Sequence, residues 1–208
     1  MELATFAFFV SASLLLIIAP GPDVVFLIAQ GMTRGRKAGL VTAMGLAAGN
    51  LVHTVAAALG ISAVFQASAL AFTVVKTIGV LYLVFLAWKA IRHHKAFLSV
   101  SEDPQARREN LFLRGFLMNT LNPKVALFFL AFLPQFADPA AGPMWIQMIL
   151  LGVLFTGLVV IVFGVIGAFA GSVNPWIQRR GSRFNEGIAW VTAGLFLSLA
   201  VRLAFMER

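Results

Sequence analysis

Charge is scarce in this sequence and cysteine is absent. Only 12% of the 208 residues are charged, against roughly a quarter in soluble globular domains. Hydrophobic residues make up 60%, and the mean hydropathy is +0.92. A chain of this kind cannot clothe itself in polar groups, so its main solvent is lipid. Without cysteine it can form no disulfide, no thiolate metal site and no membrane dithiol relay, which removes a class of membrane redox function. At about 20 residues per membrane span, the length accommodates about five to seven helices and leaves no room for a separate soluble domain.

The charge that is present is biased: 16 Lys and Arg against 8 Asp and Glu give a formal net charge of +8. A nucleic-acid partner would require a basic face on a soluble fold, whereas these residues sit in short gaps between apolar runs, so no nucleic-acid binding is expected. The runs fall at about 3–32, 40–65, 69–91, 115–136, 144–173 and 184–205. Lipid offers no backbone partners, so each run is predicted to be helical; the alternation of a membrane barrel is missing. The first run is preceded by Glu2 and by no Lys or Arg, so it reads as a retained span and not as a secretory signal.

Six spans place alternate connections on alternate sides of the bilayer. Twelve of the 16 basic residues then fall on one side, around 34–37, 89–114 and 179–183. The positive-inside bias assigns that side to the cytoplasm and both termini to the outside. The extended polar stretch at 92–112 is expected to be a cytoplasmic linker between two three-helix halves, 1–91 and 113–208, within one membrane domain. Halves with an odd number of spans have opposite orientation, and inverted repeats are a hallmark of secondary transporters.

The first run is too long for one straight span, about 45 Å against a hydrocarbon core of about 30 Å. Pro20-Gly21-Pro22 supplies the interruption: Pro22 cannot donate a backbone hydrogen bond, Pro20 restricts Ala19, and Gly21 admits non-helical angles. In the second half Asn122-Pro123 has the same effect, as an N-cap followed by proline at the first helical position. Each break is followed at once by a charge within apolar sequence, Asp23 in one half and Lys124 in the other. An intramembrane charge costs about 2.5 kcal/mol or more and marks a functional site by default. A helix N-terminus favours Asp23 and opposes Lys124, which therefore needs an anionic partner.

The expected substrate site consists of Asp23 and Lys124 with the residues of the breaks, Gly21, Pro22, Asn122 and Pro123, and it contains no metal and no cofactor. The simpler account of the same residues is a structural ion pair, or prolines that only kink their helices. Lys76 is a further candidate, although it is close enough to a helix end to snorkel. His53, with Asn50 one turn before it, is placed to relay protons or to hydrogen-bond between helices. Gly45, Gly49, Gly164, Gly167 and Gly171 suit close helix packing, and His93 and His94 lie among solvated basic residues.

The sequence also resembles the lysine exporter (LysE/RhtB) family of bacterial amino-acid efflux carriers. The matching segments are Ala19-Pro20-Gly21-Pro22-Asp23, Gly35-Arg36-Lys37-Ala38-Gly39, Gly45 to His53, Lys76 with Gly79 to Trp88, and Asn122-Pro123-Lys124 on through Pro134-Gln135-Phe136. The last two spans match only in hydropathy and glycine content. The resemblance implies export of amino acids or close derivatives across the bacterial inner membrane, driven by the membrane potential or a proton gradient; a homodimer is compatible with it. In such a carrier Asp23 would bind an ammonium group or a proton, and Lys124 with the helix amides would hold a carboxylate. An intramembrane enzyme and a membrane scaffold are the competing classes. No metalloprotease motif, nucleophile triad or nucleotide loop supports the enzyme.

Overall fold

In the computed structural model the described residues are 3–19, 21–67, 69–92, 110–179 and, further on, 187, 190, 191, 193, 194, 196–198, 200, 201, 204 and 205. Pro20, the stretch 93–109 with His93 and His94, and residues 180–186 lie outside them, as does most of the expected linker. Helix dominates, and no strand occurs among the described residues. Helix α1 spans Leu3–Ile18 and α2 spans Pro22–Ala67, so the chain breaks where the Pro-Gly-Pro motif requires. Across this break Ala19 N–H still bonds Leu15 (2.8 Å), and the new helix starts with Val25 N–H on the Gly21 carbonyl (3.1 Å). Helix α3 covers Ala69–Arg92.

A second proline break follows further along the chain. Helix α4, Leu111–Thr120, is capped by Asn110, whose Oδ1 accepts from Leu113 N–H at 3.1 Å. The expected cap at the second break is present: α5, Pro123–Leu127, has proline in its first turn, and Asn122 Oδ1 accepts from Lys124 N–H at 3.0 Å. The two pieces of this run are bent by 48°. A π-helical turn, Phe128–Phe132, and a 3-10 turn, Leu133–Phe136, continue α5. Helix α6 spans Met144–Arg179; at its start Gln147 ties down the preceding turn by donating to the carbonyls of Asp138 (2.8 Å) and Gly142 (3.0 Å).

One connection differs from expectation. The basic stretch between the first two apolar runs stays helical within α2 and turns only at Gly35, with φ 81° and ψ 179°. Arg34, Arg36, Lys37 and Ala38 are good helix formers, and one residue able to adopt positive φ is enough to redirect the chain.

Helix α2 packs chiefly against α4 and α6. Small residues set the approach: a β-carbon at Gly45 would run into the Phe112 backbone, and one at Gly39 into the Gly167 carbonyl. Without a hydrophobic force between helices in lipid, such backbone proximity is what holds spans together. Phe9, Phe129, Phe132 and Phe155 fill the interior, with Phe128 and Phe155 ring centroids 4.6 Å apart. The distribution of polarity is the reverse of that in a water-soluble protein. Leu59, Leu81, Leu150 and Ile161 face outward, whereas Ser13, Asp23, Thr42, Asn50, His53, Asn119 and Asn122 are buried. That arrangement is stable only where the outer solvent is apolar.

Among the described residues, Pro22–Gly60 and Met144–Ala170 are long and apolar enough to cross a membrane. The bent pair Leu111–Thr120 and Pro123–Phe136 makes a third span if counted as one, and Leu3–Ile18 and Lys76–Trp88 are shorter apolar helices.

Candidate functional site

The two breaks meet. Asp23, one residue into α2, carries a carboxylate that is 5% exposed, and Asn119 Nδ2 donates to its Oδ2 at 2.9 Å. Its position in the first turn of α2 places the negative charge at the positive end of the helix dipole. Its Oδ1 is buried without a hydrogen-bond partner. The Asn122 side chain lies close to the same carboxylate, although its Nδ2 makes no hydrogen bond of good geometry.

Lys124, one residue into α5, crosses to the other break and donates from Nζ to the Ala19 carbonyl at 2.8 Å. That carbonyl lies just past the end of α1, where helix carbonyls lack intrahelical partners and the dipole is negative. The end of α1 thus supplies part of the anionic partner that the position of Lys124 demands. Lys124 and Asp23 also act on each other electrostatically, across the site. Gly21 completes the crossing: a β-carbon there would sit 3.3 Å from Lys124 Nζ.

His53 faces the same region from the middle of α2. His53 Nε2 lies 3.1 Å from the Asn119 backbone carbonyl. A carbonyl can only accept, so Nε2 carries the hydrogen in this contact. Phe129 borders the imidazole, with ring centroids 5.7 Å apart. Asn50 Nδ2 bonds Leu46 O within its own helix at 3.3 Å, which leaves Oδ1 buried without a donor. Of the remaining expected residues, Pro22 and Pro123 shape the breaks but leave their rings exposed. Lys76 Nζ donates to the Ala204 carbonyl at 3.4 Å. Among the described residues no three His, Asp or Glu side chains gather as metal ligands.

A buried acceptor and a half-buried cation at paired helix breaks suit a solute carrying both charges, and the comparisons with known proteins agree with a transport role. A model of the family described as LysE type translocator matches residues 14–207. The chain belongs to this family. An uncharacterized membrane protein of Vibrio cholerae is 31% identical over 88% of this chain and 91% of its own length. A homoserine/homoserine lactone efflux protein of Salmonella typhimurium is 27% identical over 92% of each. A leucine efflux protein of an Enterobacter strain is 25% identical over 96% and 94%. No solved structure matches the chain.

Membership of the LysE family makes the chain a membrane translocator and not an enzyme. The match also takes in the last two apolar runs, beyond Phe136 where the sequence motifs end. Asn119, which bonds Asp23, is the residue of this cluster that the sequence motifs do not single out. The available signal was the one that picks out Asn50, an uncharged amide within an apolar run, and Asn119 stands three residues before the Asn122 cap.

Proposed function

We propose that this protein is a secondary carrier that exports amino acids or close derivatives from the cytoplasm by alternating access around the Asp23–Lys124 site. The observation that carries the reading is the meeting of the two broken helices, each presenting a charge to a buried polar cluster within an apolar shell. Isolated intramembrane charges cost too much to persist without a role, and paired breaks are where secondary transporters bind solutes. The efflux of leucine and of homoserine by relatives of similar length supports amino acids as the cargo class.

In this reading Asp23 binds the ammonium group of a zwitterion or a coupling proton, and the Lys124 ammonium holds the carboxylate; the first amides of α5 are occupied by Asn122. Six spans form two inverted three-helix repeats, 1–91 and 113–208. The first span is α1 continued by residues 22–34, and the fourth is α4 continued by α5 and its π-helical and 3-10 extensions. Both breaks lie near the midplane of the bacterial inner membrane. Both termini face outward, the 92–112 linker faces the cytoplasm, and the membrane potential or a proton gradient drives export. A homodimer is compatible with the apolar outer faces.

Efflux from proteoliposomes tests the reading. Vesicles loaded with the standard amino acids and homoserine should lose at least one of them faster than protein-free vesicles, and faster still under an imposed potential or proton gradient. Equal leakage from both preparations would contradict the proposal.

A further inference from the structure

We propose that Asn119 is a substrate-binding residue whose side-chain oxygen, together with Asp23 Oδ1, receives the primary ammonium group of the exported molecule. This rests on the transport reading above and adds to it a requirement for a free, unalkylated ammonium.

Asn119 is 1% exposed, and its side chain is fixed by its partner. Nδ2 donates to Asp23 Oδ2 at 2.9 Å. Turning the amide over would set an oxygen against a carboxylate oxygen, so the partner dictates which amide atom is which. Asn119 Oδ1 is therefore an acceptor, and it has no donor. Asp23 Oδ1 is in the same state, as is Asn50 Oδ1.

Buried acceptors without donors are costly and call for explanation. Those of Asp23 and Asn119 are brought together for a structural reason. Gly49 has no side chain, and a β-carbon there would come within 2.7 Å of both Cβ and Oδ1 of Asn119. The missing side chain lets the Asn119 amide rest against α2 at Gly49 and in reach of Asp23. Two nearby donors are engaged elsewhere, Lys124 Nζ on the Ala19 carbonyl and His53 Nε2 on the Asn119 carbonyl, and the third, Asn122 Nδ2, lies near the Asp23 carboxylate without a hydrogen bond of good geometry.

What fits is a group that brings several N–H donors and a positive charge to a carboxylate. A primary ammonium has three hydrogens, sufficient for Asp23 Oδ1 and Asn119 Oδ1 with one to spare. A tertiary ammonium keeps the charge but has a single hydrogen and cannot satisfy both oxygens.

The experiment uses reconstituted full-length protein. Whichever of the standard amino acids or homoserine the wild type exports is compared with its N,N-dimethyl derivative, which retains the charge, the carboxylate and the side chain. One lost hydrogen bond to a charged group corresponds to roughly tenfold or more in apparent affinity, so the derivative should show a KM higher by about that factor. Asn119→Ala should raise the KM of the parent compound and shrink its advantage over the derivative, an outcome that a purely structural role for Asn119 does not produce. Wild-type protein handling both compounds equally, or a folded Asn119→Ala variant with undiminished discrimination, would overturn the inference while leaving the transport reading intact. If Asn119→Ala does not fold, the wild-type comparison decides alone. Efflux of none of the compounds would overturn both.

Discussion

Asp23 and Lys124 are each supported by something other than the opposite charge. The carboxylate accepts from Asn119 at 2.9 Å, and the ammonium donates to the Ala19 carbonyl at 2.8 Å. Each nevertheless lies in the field of the other, so removing one leaves its counterpart uncompensated in an apolar interior. Asp23→Asn and Lys124→Met are each expected to cost about 3 kcal/mol of stability and to lose export; melting of the purified variants in detergent and vesicle efflux measure the two effects. Lys76 differs, since its ammonium donates to the Ala204 carbonyl near the far end of the chain. Lys76→Gln should leave the KM for the exported compound unchanged in the same vesicles. A several-fold rise in KM would return Lys76 to the site.

Breaks and turns govern the elements. The Asn122 cap and both proline breaks were legible in the sequence because capping and proline chemistry act over three or four residues. Asn119 was not, because its role depends on the crossing of α4 over Gly49, a contact between residues far apart in the chain. The π-helical turn Phe128–Phe132 was equally hidden. Its wide register brings Phe128, Phe129 and Phe132 inward together, and only packing against Phe155 and Phe136 shows why. The turn at Gly35 illustrates a third case, in which polar residues suggested a loop but helix propensity confined the break to one residue. No side chain suits φ 81°, ψ 179°, although nothing lies within 4 Å of a β-carbon there. Gly35→Ala should therefore destabilise the protein by about 1–3 kcal/mol through backbone strain alone, read as a lowered melting temperature. An unchanged melting temperature would mean that the turn adopts another conformation.

For the molecule as a whole, composition announced the membrane and the charge distribution gave a topology, while the all-helical fold and the family match account for the same residues. The orientation is open to a direct check. Ser99 falls in the linker expected to face the cytoplasm, so a Ser99→Cys variant in intact cells should resist a membrane-impermeant thiol reagent; ready labelling would invert the assignment. The central claim is that Asp23 and Lys124 form a binding site and not merely a structural couple. Efflux from vesicles containing the Asp23→Asn/Lys124→Met double variant tests it most directly, because removing both charges together relieves the uncompensated charge that destabilises either single variant. The account predicts a double variant as stable as the wild type that no longer exports amino acids; export at the wild-type rate would contradict it.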